Sequence, residues 1–141
     1  MSSQRQDQAG ASYFDLEFGI RHLDLIAEFA ANRWQTPNIT EASGARADLT
    51  TTGGYVEAKY TIRPGLYAAA RYDWLDFGEI DDGTGTDTLQ PWDYDIRLWE
   101  WGVGYYFTDR IIGKLIRQDH RSDRPAESNG SFWAIQVSTS F

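Results

Sequence analysis

Hydrophobic and polar residues alternate along most of this chain. The period of two belongs to strands, because successive side chains of a strand point to opposite faces. The first run sets Phe14, Leu16, Phe18 and Ile20 against Asp15, Glu17, Gly19 and Arg21. After His22, a second run places Leu23, Leu25, Ala27, Phe29 and Ala31 on one parity. Asp24, Ile26, Glu28, Ala30 and Asn32 take the other. Its Ala, Leu and Glu content also suits a helix, but the tight link to the preceding strand favours a hairpin. Alternation resumes at Gly53, with Val56, Ala58, Tyr60 and Ile62 opposite Tyr55, Glu57, Lys59 and Thr61. Arg63-Pro64-Gly65 predicts a type II turn, since proline presets φ and glycine accepts a positive one. The returning strand carries Leu66, Ala68, Ala70, Tyr72 and Trp74 on one face, and Tyr67, Ala69, Arg71 and Asp73 on the other.

Trp92 to Phe107 reads as a further strand, with Trp99, Trp101, Val103, Tyr105 and Phe107 on one parity and Leu98, Glu100, Gly102, Gly104 and Tyr106 opposite. Thr108-Asp109-Arg110 forms a turn, and Ile111 to His120 returns with weaker alternation. The last stretch, Ser131 to Phe141, puts Trp133, Ile135, Val137, Thr139 and Phe141 on one face. Its length suits a tilted membrane-spanning strand of about 9–11 residues. The expected fold is all-β, about seven antiparallel strands behind a polar segment at residues 1–11. Short connections at 21–24, 63–65 and 108–110 alternate with long ones at 35–52, 78–91 and 121–130. Turns on one side and loops on the other are the pattern of an up-and-down transmembrane β-barrel.

Alternation alone does not say whether the apolar parity meets lipid or a water-excluded core; the order of residues within each strand does. Trp99 and Trp101 lie near the loop end of their strand, Tyr105 and Phe107 near its turn, with Val103 between. Trp133 and Phe141 bracket Ile135 and Val137, Tyr72 and Trp74 stand above Ala68 and Ala70, and Tyr60 sits beside its turn. Aromatics at both ends and smaller apolar residues between them match the interfacial girdles of a membrane barrel. A soluble β-barrel or sandwich is the competing reading. Arg117, on the apolar parity, disagrees with lipid exposure unless it lies near the headgroups, where its stem can snorkel.

The acidic balance, 21 Asp and Glu against 13 Lys and Arg, argues against a nucleic-acid partner. The absence of cysteine removes disulfide and thiol chemistry. No apolar run approaches the ~20 residues of a membrane helix, and a negative mean hydropathy is compatible with a barrel whose strands alternate. Met1 to Gly10 has no apolar centre of the kind a signal peptide carries. The turn and loop order starts the first strand on the loop side, whereas an even-numbered barrel starts on the turn side. The expectation is therefore an incomplete barrel, lacking at least one strand and a signal peptide in front.

The stretches GGYVEAKYTIRPGLYAAARYDWLDF, WDYDIRLWEWGVGYYFTDR and FWAIQVSTSF resemble the C-terminal part of Gram-negative bacterial outer-membrane porins, and most of all porin-like proteins grouped with the phosphate-selective porins. The resemblance spans residues 12–141. It implies the bacterial outer membrane as location, contact with lipid and lipopolysaccharide, and a homotrimer if the full barrel is a porin. It also implies that Trp133, Ile135, Val137 and Phe141 form a C-terminal sorting signal read by the barrel-assembly machinery.

With the apolar parity in lipid, the other parity lines a lumen and carries Asp15, Glu17, Arg21, Glu28, Glu57, Lys59, Arg71, Asp73, Glu100 and Lys114. Such a wall sets a field on passing ions, or its members pair across strands and serve structure alone. Their near balance of sign leaves selectivity open. Asp81 to Asp87 offers oxygen ligands without the spacing of a calcium loop. His22 and His120 have no metal-ligand partners at useful spacing, and Asp119-His120 has no positioned nucleophile. The expectation is a porin without cofactor, metal or catalytic residue, passing small hydrophilic solutes or ions. The alternatives are a small closed outer-membrane barrel with a structural or adhesive role, and a soluble ligand-binding barrel.

Overall fold

The computed structural model describes residues 10–37, 46–81, 89–124 and 129–140. Nine strands form, and no helix, among these residues: β1 (Gly10–Ile20), β2 (Leu23–Pro37), β3 (Arg46–Arg63), β4 (Leu66–Phe77), β5 (Glu79–Asp81), β6 (Leu89–Pro91), β7 (Ile96–Thr108), β8 (Ile111–Ser122) and β9 (Gly130–Thr139). Seven of them make one antiparallel up-and-down sheet in the order β1-β2-β3-β4-β7-β8-β9, and β5 and β6 pair separately. The Leu23 run is a strand, as its hairpin linkage required.

Each short connection has a local cause. Arg21 and His22 alone join β1 to β2, and Arg21 takes a left-handed φ of 54°. Gly65 follows Pro64 with a φ of 83°, the conformation a type II turn demands. Register shifts between Thr61 and Arg63 and between Tyr106 and Thr108 mark bulges beside two of the turns.

The long connections are shorter than expected. β2 and β3 stay paired out to Pro37↔Arg46, so much of 35–52 is ladder rather than loop. Backbone hydrogen bonding does not need apolar side chains, and the Thr50–Thr52 run has high strand propensity. The 78–91 segment holds the β5–β6 hairpin, β8 continues to Ser122, and β7 starts at Ile96 rather than Trp92.

Register settles which residues share a face. On the apolar face, Ile20 lies beside Leu23, then Tyr60, Ala68, Val103, Leu115 and Ile135. This row starts at the tip of the first hairpin and reaches Val103 well short of the turn after Thr108. The strands are thus staggered progressively, as strand tilt in a curled sheet requires.

A single sheet has no second layer to bury its apolar face. Among the described residues only one hydrophobic side chain is buried, Tyr67 at 8% exposure. Trp99, Trp101 and Val103 are exposed at 51%, 46% and 44%, while their polar-face neighbours Leu98, Glu100 and Gly102 are half-buried. This alternation reports a sheet that curls round its polar side. The outermost strands, β1 and β9, run in the same direction and each pairs on one side among the described residues.

Candidate functional site

The charged face is assembled by register. Asp15 stands opposite Glu28, Glu28 opposite Tyr55, and Tyr55 opposite Asp73. The next row runs Glu17, Ile26, Glu57, Arg71, Glu100 and Gln118. Below it, Asp24 faces Lys59, and Lys114 faces Gly104 and Gln136. Nine of the residues expected on one wall therefore share one face. The tenth, Arg21, sits in the β1–β2 turn at the end of that wall.

Arg71 is the centre of the arrangement. Its guanidinium donates to both carboxylate oxygens of Asp73, at 2.6 to 3.0 Å, and lies 3.8 Å from Glu57. It also stacks over the Tyr55 ring at 3.6 Å. The Tyr55 hydroxyl donates to Glu28 at 2.6 Å, and Gln118 donates to Glu100 at 3.2 Å. A planar fork suits this convergence of carboxylates and aromatic face, which a lysine would not match. Tyr55 and Gln118 were not apparent in the sequence as parts of this network, because each is positioned by a neighbouring strand.

A recess of about 240 Å³ opens on this face, lined by Glu57, Lys59, Tyr67, Arg71, Glu100 and Lys114 among others. Tyr67 forms its floor. A Cβ on Gly104 would sit 2.2 Å from the Tyr67 ring, so the absence of a side chain there lets the ring lie flat on the next strand. Tyr106 packs beside it at 5.6 Å, and the Lys59 ammonium stands 5.1 Å from its centroid. At the loop end of the same face, Trp92 packs against Trp34 at 5.7 Å and Phe77 at 4.9 Å, its indole N–H donating to the Thr50 carbonyl.

The opposite face is ordered by depth. Near the loops, Tyr72 packs on Trp99 at 4.8 Å and on Trp74 at 6.0 Å, while Trp101 meets Trp133 at 5.4 Å. Near the turns, Tyr105 packs on Phe107 at 5.1 Å and Tyr60 lies against His22. Ala58, Ala68, Ala70, Val103, Leu115, Ile135 and Val137 occupy the level between. Phe141 lies outside the described residues, as does the Asp81 to Asp87 run beyond Asp81.

Most charge on the apolar face lies toward its loop end, where most of it is paired, while Arg63 stands opposite Leu66 beside its turn. Arg33 bonds Asp48, Arg97 bonds Asp76, and Arg117 bonds Asp119 at 3.2 Å. The discordant Arg117 is thereby neutralised within its own strand, and its guanidinium lies 5.8 Å from the Trp133 ring centroid. Asp119 and His120 are consecutive strand residues and point to opposite faces, so they do not form a dyad. Among the described residues, no three His, Asp or Glu side chains gather as for a metal.

Above the sheet, Asp93 accepts from the Tyr94 amide at 2.8 Å and from Arg124 at 3.0 Å. These bonds, the backbone one first, hold its carboxyl below the usual carboxylate range. Comparison of the chain with protein-family models, with curated proteins and with solved structures finds no match.

Proposed function

We propose that this chain forms the wall of an outer-membrane β-barrel, a porin that passes small hydrophilic solutes or ions by diffusion through a water-filled lumen. Lipid covers the apolar face, the charged face lines the water, and there is no chemical step. One observation carries the reading: the face richest in Trp, Phe, Leu, Ile and Val is the exposed one. Soluble monomers rarely expose apolar patches beyond a few hundred Å². Here the uncharged band is bounded by aromatics on both sides, and the loop-side aromatics share their level with paired charges, Arg97 opposite Trp74 and Arg117 between Trp101 and Trp133, as at a bilayer's core and interface. The outward aromatics and lumen-facing charges are the residues named for those roles above. Contacts with lipopolysaccharide and the assembly machinery, and trimer formation, belong to the same proposal.

Planar-bilayer recording tests it. The chain, folded in detergent and added to a lipid bilayer, is expected to give ohmic conductance steps. A folded and inserted protein that stays silent would instead support a closed barrel with a structural role. Recovery of the folded chain from the aqueous fraction without detergent would defeat the membrane reading.

A further inference from the structure

We infer that the charged face makes the lumen selective for cations over anions. This rests on the pore reading above and adds the sign of its filter. The residues expected on the wall from their spacing are nearly balanced in charge, but register changes the count. Asp24 joins the face opposite Lys59, and Arg21 leaves it for the turn. Along the described strands, carboxylates then come from Asp15 and Glu17 on β1, Asp24 and Glu28 on β2, and Glu57, Asp73 and Glu100 beyond. Only Lys59, Arg71 and Lys114 oppose them.

The strongest cation is also the least available. Arg71 is engaged by Asp73, Glu57 and the Tyr55 ring at once, so its field on a passing ion is largely cancelled where it arises. Lys59 lies over the Tyr67 ring at the floor of the recess. Toward the β1 edge of the same face, Asp15 and Glu28 stand directly opposite one another, with Glu17 on the next row and Asp24 near the turn. Asp15, Glu17 and Asp24 have no ion-pair partner among the described residues. Like charges placed across strands destabilise the sheet, and mobile cations in the lumen relieve that repulsion. Rows of Asp and Glu facing water are how cation pores select, and a low-dielectric wall focuses their field into the channel.

Reversal potentials in a planar bilayer under a KCl gradient test the inference. The unmodified chain is expected to reverse on the potassium side. Glu17→Gln with Asp24→Asn, two exposed residues whose side chains have no hydrogen-bond partner among the described residues, should lower the potassium-to-chloride permeability ratio several-fold. Glu17→Lys with Asp24→Lys should bring it to or below one. Conductance steps that reverse on the chloride side, or a ratio unmoved by both double variants, would overturn cation selectivity while leaving the pore intact. Absence of steps from the unmodified chain would overturn both.

Discussion

An arginine placed on either face of the sheet separates the membrane reading from its rivals. Val103 lies on β7 between Trp101 and Tyr105, with Ala68 and Leu115 directly across from it. No charged residue occupies its row from Ile20 to Ile135, so a guanidinium there has no carboxylate to meet. If lipid covers this face, Val103→Arg costs about 2–4 kcal/mol, the penalty for arginine near the midplane of a barrel. In water an exposed position of this kind tolerates substitution to within about 0.5 kcal/mol. Ile26 is the matched control. It lies on the charged face with Glu17 on one side and Glu57 on the other, so Ile26→Arg creates cross-strand ion pairs of about 0.2–1 kcal/mol each. It should leave stability unchanged or raise it. Equilibrium unfolding by guanidinium from lipid vesicles, followed by tryptophan fluorescence, gives both values on one scale. Equal effects from the two arginines, or a Val103→Arg penalty below about 0.5 kcal/mol, would refute lipid contact at this face.

Three further outcomes follow from local geometry. The two left-handed turn residues predict opposite signs: Gly65→Ala should destabilise by about 1–2 kcal/mol and Arg21→Gly should stabilise by up to about 1 kcal/mol, both readable in the same unfolding assay. Gly104→Ala should displace the Tyr67 ring from its seat and cost about 1–3 kcal/mol; the cost should largely vanish in a Tyr67→Ala background, and additivity of the two changes would disprove the contact. The Asp93 carboxyl titrates low, so its ionised form stabilises the fold fully above the usual carboxylate range. That contribution is lost as the pH falls through the lowered folded value. Acidification through that window should expose the 92–95 connection to an acid-active protease, and Asp93→Asn should make cleavage independent of pH there. A wild-type carboxyl resonance of Asp93 titrating at the ordinary value would contradict this.

Seven strands, their directions and the two parities were legible in the sequence, because period two is a local property that each strand displays by itself. The three short connections were equally plain, and Pro64-Gly65 specifies its turn through backbone restriction alone. Strand ends were less legible. The Thr-rich start of β3 and the polar end of β2 have little hydrophobic contrast, yet their backbones pair as regularly as the rest.

What the sequence determined alone is therefore which side chains travel together: an apolar set with aromatics toward its ends, and a charged set opposite. Tertiary structure decided who meets whom. Arg71 finds Tyr55, Glu57 and Asp73, and Tyr67 finds the vacant surface of Gly104, through a register set by turns and bulges far along the chain. Arg117, an anomaly when read alone, becomes the partner of Asp119 beside Trp133. Asp24 enters the wall and Arg21 leaves it, which turns a near balance of charge into an excess of one sign. The physical reason is that alternation assigns a face to each residue, whereas only the pairing of separate strands assigns it a neighbour.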